Sequence, residues 1–211
     1  MKLYGFPPSP NTWKVRAVAA HLGLPLEFAF VDLTTGQQRT PQYLALNPTG
    51  RAPVLVDDDF TVWESNAIMQ YLASRAPNSL WPNDARARAD IMRWQSWQLA
   101  HWGTEACEPL IFERLVKQFL NLGAPDSAVV AKATEAFHRE AGVLEAHLAK
   151  QPYLVGKELT LADFAVGAPL FYAKEAELPV ADYRQVRDWF ARVSALPAWR
   201  DTAPAPASAA A

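Results

Sequence analysis

Three short segments of this chain carry residue types suited to holding a small anion. Ser9-Pro10-Asn11-Thr12 lies where a helical pattern begins. The first backbone N–H groups of a helix have no partner within it, and the helix dipole adds positive potential there. Such an end favours negative charge, a thiolate included. Arg51-Ala52-Pro53 precedes a strand-like run. A proline at that place can take a cis bond, leaving the Ala52 backbone to pair with an extended peptide. Glu64-Ser65 opens another helical run, with a hydroxyl and further orphan N–H groups suited to a carboxylate. Together they could bind a small anionic ligand and keep a sulfur on it ionised.

The framework holding these segments is readable from periodicity and turn residues. Residues 2–6 form a short strand, stopped by Pro7, Pro8 and Pro10. From Thr12, Val15, Val18, Ala19 and Leu22 recur at helical spacing until Gly23 and Pro25 end the run. Residues 26–31 alternate as a strand with Leu26, Phe28 and Phe30 on one face, so the opening is β-α-β with parallel strands. A polar stretch and a short turn at 43–46 come next, then the turn signal Asn47-Pro48-Thr49-Gly50. Residues 54–56 and 60–63 make a hairpin, and Ser65 caps a helix carrying Ile68, Tyr71 and Leu72 inward. This order predicts a thioredoxin-like α/β domain over residues 1–76. Ser9 and Thr12 stand where such a domain carries Cys-x-x-Cys, so dithiol exchange with the chain's own sulfur is excluded there.

Residues 77–84 hold two prolines and read as a linker, with Asp84 as N-cap of the first long helix. Beyond it every long segment is helical in period: 85–122, bent or interrupted near Pro109, then 127–149, a helix from Thr160, and 184–196. Thr160 and Asp163 form a capping box flanked by Leu159 and Phe164 at staple positions, a folding feature with no catalytic role. The reading is an all-α domain over 85–200 and a disordered low-complexity tail over 201–211, with the ligand site between the two domains.

Composition narrows the classes. The 211 residues are 50% hydrophobic and 20% charged, enough for packed cores, and the net charge is −2. With no lysine or arginine cluster, neither a nucleic-acid nor an anionic-membrane partner is expected. No stretch approaches the ~20 apolar residues of a membrane span. Cys107 is the single cysteine, so no intramolecular disulfide or all-cysteine zinc site can form, and a cytoplasmic location is expected. No metal is expected. The eight tryptophans read first as core packing.

The chain resembles the cytosolic glutathione S-transferases. The resemblance rests on Ser9 with Lys14-Val15-Arg16, on Asn47-Pro48-Thr49-Gly50-Arg51-Ala52-Pro53-Val54-Leu55, on Glu64-Ser65-Asn66-Ala67-Ile68, and on Tyr153-Leu154-Val155-Gly156 with Leu161-Ala162-Asp163. These pieces fall in order across both domains. Ser9 to Val15 is similar to the serine-type motif of the theta, phi and zeta classes. The Ser-Pro-Asn variant is also similar to a bacterial group in which an asparagine joins the thiol contact.

That resemblance implies glutathione as co-substrate, with Ser9 and Asn11 as the catalytic pair at its sulfur. It places Ala52 and cis Pro53 against the cysteinyl backbone, Glu64 and Ser65 at the γ-glutamyl end, and Gln38, Arg39 and Arg51 toward the glycyl end. Pro7, Trp13, Trp97, His101, Trp102 and Glu105 are the candidates for lining a pocket for a hydrophobic electrophile. The implied reaction is conjugation of the glutathione thiolate to that electrophile, as in detoxification, by a homodimer. The alternatives are a glutathione-dependent disulfide reductase and a non-catalytic ligand-binding or partner protein of the same fold.

Overall fold

A computed structural model describes residues 1–204; the rest of the tail, predicted to be disordered, lies outside the described residues. The described residues divide into two compact units, residues 1–81 with residues 195–204, and residues 82–194. The C-terminal segment therefore belongs with the first unit, whereas periodicity alone places it in the helical domain up to residue 200.

In the first unit β1 (Lys2–Gly5), α1 (Pro10–His21), β2 (Glu27–Phe30), α2 (Pro41–Leu46), β3 (Val54–Asp57), β4 (Phe60–Trp63) and α3 (Ser65–Ala73) follow in order. The sheet order is β2-β1-β3-β4, with β1 parallel to β2 and antiparallel to β3, and β3 antiparallel to β4. This is the thioredoxin-like α/β arrangement expected. The core gathers Leu3, Val54 and Leu55 from the sheet with Val15, Val18, Ile68, Met69 and Leu72 from the helices. Ser65 is not the cap of α3. Glu64 holds that position at φ +71, without a side-chain bond, and Ser65 is the first helical residue.

A short α10 (Pro197–Asp201) joins this unit, and sequence periodicity misses it. Trp13 of α1 packs edge-on against Trp199, ring centroids 4.2 Å apart. Its Nε1–H donates to the Trp199 carbonyl and to Thr202 Oγ1. Residues 201–204 are thus ordered rather than part of a disordered tail: Asp201 ends α10, Ala203 N–H bonds the Arg200 carbonyl, and Pro204 is buried.

The second unit is helical. α4 (Ala85–Trp97) continues into residues Gln98–Cys107, whose bonds step back five residues instead of four. α5 (Glu108–Ile111), a second five-residue-step turn (Phe112–Val116) and α6 (Lys117–Phe119) come after it. The helical backbone carries on through Pro109, which has no N–H to give and sits where the register changes. Gly103 is required here, since a Cβ on it would lie 2.8 Å from the Gln98 carbonyl oxygen. α7 (Ser127–Leu148), capped by Asp126, α8 (Leu161–Gly167) and α9 (Arg184–Ser194) complete the unit. The Thr160–Asp163 capping box forms, and the buried Asp163 carboxylate also accepts from Leu154 N–H and Trp189 Nε1–H. Among the described residues no helix is long and apolar enough to cross a membrane.

Candidate active site

The loop from β1 into α1 is held from within. Ser9 N–H bonds the Phe6 carbonyl at 2.9 Å. Thr12 is buried, and its Oγ1 accepts from Phe6 N–H at 3.3 Å. A Cβ on Gly5 would sit 2.5 Å from the Thr12 methyl, so only glycine lets the strand end close on that side chain. Ser9 is the N-cap, in extended conformation. Its hydroxyl accepts from Thr12 N–H at 3.5 Å, a long bond that leaves the group ready to take a better partner.

Asn11 lies one residue inside the helix, and Ser65 Oγ–H of α3 donates to its Oδ1 at 3.2 Å. Three residues on, Lys14 has no accessible surface, and its Nζ donates to Asn66 Oδ1 at 2.9 Å. Two adjacent residues of α3 are therefore tied to two residues on one face of α1.

The loop before β3 is fixed through the Arg51 carbonyl. It accepts from Tyr43 Oη–H at 2.9 Å and from Asn47 Nδ2 at 2.7 Å. Burial pushes the Tyr43 phenol up to about 12, so it stays a donor at neutral pH. Asn47 Oδ1 in turn accepts from Thr49 N–H and Oγ1–H, closing the turn. The next peptide, Ala52–Pro53, is cis. Pro53 is buried, Ala52 half-buried and the Arg51 side chain exposed. Gly50 has φ +63, and a Cβ there would come 2.9 Å from Arg39 Nη1, so the Arg39 guanidinium lies against this turn. Gln38 donates to the Leu33 carbonyl, while its Oε1 is buried without a hydrogen-bond partner.

Ser9, Asn11, Gln38, Arg39, Arg51, Ala52, Pro53, Glu64 and Ser65 all lie in the first unit. The observed links among them are Ser65 to Asn11 and Arg39 to the turn preceding Arg51. Glu64 is exposed, and its left-handed backbone is strained for a residue with a side chain.

Two pocket candidates fall elsewhere. Trp13 is wholly buried against Trp199. Trp102 is wholly buried too, its Nε1–H donating to the Val166 carbonyl at 3.0 Å. Both are core residues, because each indole N–H is satisfied only inside the protein. Pro7 of the first unit is half-buried. In the second unit Trp97 stacks on Trp102 and donates to Glu140 at 2.9 Å. His101 is exposed, 3.8 Å from the Glu105 carboxylate. Donor atoms of His101, Glu105 and Glu140 lie within 4.8 Å of one another. Arg139 already bonds both carboxylates, at 2.7 and 2.8 Å.

Thr12, Lys14 and Asn66 lie in the motifs read from the sequence, but no role is assigned to them there; the structure shows Thr12 closing the loop and Lys14 bonded to Asn66. The available signal is a lysine three residues after Asn11, flanked by the apolar Trp13 and Val15.

Comparison with known proteins decides the family. The family model described as "Glutathione S-transferase, N-terminal domain" matches residues 1–74, and "Glutathione S-transferase, C-terminal domain" matches residues 105–197. The chain belongs to the glutathione S-transferase family.

Glutathione S-transferase 3 of Zea mays is 42% identical, over 96% of this chain and 92% of that one. A glutathione S-transferase III structure in apo form superposes with a TM-score of 0.85 at 41% identity, covering 97% of both chains. A glutathione S-transferase-I structure bound with lactoylglutathione gives 0.86 at 28% identity, covering 96% of this chain and 97% of that one. These matches carry the family. They give no support to the bacterial grouping suggested by the Ser-Pro-Asn variant.

Proposed function

We propose that this glutathione S-transferase family member joins the glutathione thiolate to an electrophilic carbon of an apolar substrate. One observation supports the reading above the others. Asn11 Oδ1 accepts from Ser65, which leaves the Asn11 amide N–H groups to donate at the same helix end where Ser9 carries its hydroxyl. Two neutral donors and the positive helix end all stabilise an anion, and none requires a proton to move first.

In this reading glutathione loses its thiol proton to solvent on binding. The sulfur lone pair forms the C–S bond, and the leaving group departs with the electron pair of the bond that breaks. The acceleration comes from a lowered thiol pKa and from holding the two reactants together. Ala52 and the cis Pro53 offer extended backbone to the cysteinyl residue. Ser65 and Glu64 take the γ-glutamyl end at the start of α3, and Arg39, Arg51 and Gln38 take the glycyl carboxylate. Pro7, Trp97, His101 and Glu105 remain candidates for contact with the electrophile; Trp13 and Trp102 do not.

We further read the protein as cytoplasmic, detoxifying and homodimeric. Exposed Phe60 and Trp63 on the edge strand β4 of the first unit, and Met92 and Leu99 in the second, are apolar surface suited to a second copy. Calorimetry with glutathione, followed by parallel assays with an aryl halide and a low-molecular-weight disulfide, tests the reading. Glutathione binding with faster aryl conjugation supports the transferase. Faster disulfide reduction would replace it with the reductase, and no binding would leave only the fold.

A further inference from the structure

We propose that Lys14 is a positioning residue of the glutathione site, acting through Asn66 on Ser65; this role rests on the transferase reading. Lys14 has no accessible surface, and taking an ammonium out of water is costly. A methionine of similar length would fill the same space without that cost, so packing alone does not account for a lysine here. What the lysine adds is a directed bond of 2.9 Å from Nζ to Asn66 Oδ1.

The placement of that bond gives it a consequence. Asn11 and Lys14 lie three apart on α1 and share a face. Ser65 and Asn66 are consecutive at the start of α3. Ser65 Oγ–H meets Asn11 while Lys14 Nζ meets Asn66. Core packing of Ile68, Met69 and Leu72 seats the body of α3, and the two bonds seat its first turn. Running from successive residues to points one turn apart, they fix both the height and the rotation of that turn. Ser65 is thereby held where its hydroxyl orients the Asn11 amide and its backbone N–H faces a ligand carboxylate. The Lys14 bond is the buried one of the two, sheltered from competing water, and is the firmer anchor.

Calorimetry separates this role from a purely structural one, because the dissociation constant is read apart from the fraction of protein able to bind. For Lys14→Met, glutathione is expected to bind about tenfold more weakly at unchanged stoichiometry, with kcat at saturating glutathione falling far less than KM rises. Asn66→Ser, which shortens the acceptor out of reach and keeps Lys14, is expected to give a similar loss. The double variant should be no worse than either single one. Asn66→Asp restores an acceptor and recovers most of the loss. A lowered stoichiometry with an unchanged dissociation constant, additive losses in the double variant, or an Asn66→Asp variant as weak as Asn66→Ser would each overturn the proposal. If Lys14→Met does not fold, the two Asn66 variants carry the test. Failure of the wild-type protein to bind glutathione would remove the site, and this proposal with it.

Discussion

Ser65 Oγ–H donates to Asn11 Oδ1 at 3.2 Å, joining the first residue of α3 to the first turn of α1. The direction of that bond matters. With its oxygen engaged, the Asn11 carboxamide turns its donor end away from Ser65. A residue assigned to the γ-glutamyl end thus sets the orientation of one assigned to the sulfur. Ser65→Ala should therefore affect both ends: weaker glutathione binding and a higher pKa of the bound thiol. Asn11→Ala should raise that pKa alone. The two effects on pKa should be less than additive in the double variant, since both remove one oriented donor. Ultraviolet thiolate absorbance against pH reads them. A Ser65→Ala variant with an unshifted titration would cut the link between the two residues.

Ser9→Ala removes the hydroxyl nearest the helix end. A donor to a charged sulfur contributes about 1.5–3 kcal/mol, so the bound thiol pKa should rise by about 1–2 units and kcat/KM fall by about 10–100-fold near neutral pH. The helix also loses its cap, at about 1 kcal/mol, so thermal melting is followed in parallel. An unchanged thiolate titration in folded Ser9→Ala would remove Ser9 from the sulfur.

The architecture is legible in the sequence because it rests on local signals. Prolines stop β1, Asp57 to Phe60 closes the β3–β4 hairpin, and Thr160 with Asp163 marks the start of α8. Long-range satisfaction is not legible. Trp13 and Trp102 look like pocket residues until their N–H groups are found bonded to Trp199 and Val166 carbonyls far along the chain. α10 is too short for periodicity to announce and is fixed by that same Trp13 contact. The burial of Lys14 is not legible either, since its Asn66 acceptor lies 52 residues away. Ser65 reads as a cap because its neighbour's left-handed backbone has no sequence signature at a glutamate.

The Asp163 carboxylate is buried and accepts from Thr160 N–H, Thr160 Oγ1–H, Leu154 N–H and Trp189 Nε1–H at 2.9–3.1 Å. Asp163→Ala leaves several buried donors without an acceptor at once. Each orphaned group costs about 1–3 kcal/mol, so the variant should lose roughly 3 kcal/mol or more. Urea unfolding measures it. A loss under about 1 kcal/mol, the worth of an exposed helix cap, would show that the buried donors find other partners.

Cys107 is the single thiol, and burial, with the Glu108 charge adding to it, pushes its pKa well above the ordinary value. The thiolate is the reactive form. The native protein should therefore resist a thiol-selective reagent for hours at pH 7 and release one equivalent only when denatured. Labelling of native protein on the minute scale would show that the Gln98–Cys107 segment opens readily.

Glu113 supplies a stability term with a definite sign. The Lys117 ammonium at 2.6 Å, and then the Asp126 N–H at 2.6 Å, hold its carboxyl below the usual value of 4.5. A carboxyl depressed in the folded state binds its proton more readily when unfolded. Its contribution is therefore present above pH 4.5 and is lost as pH falls through the lower folded value. Glu113→Gln removes both the charge and this dependence. Stability by urea unfolding at pH 7 should fall in the variant, and the gap to wild type should narrow steadily from pH 4.5 downward. A gap that stays constant, or widens, in acid would show that Glu113 holds the turn before α7 by shape and not by charge.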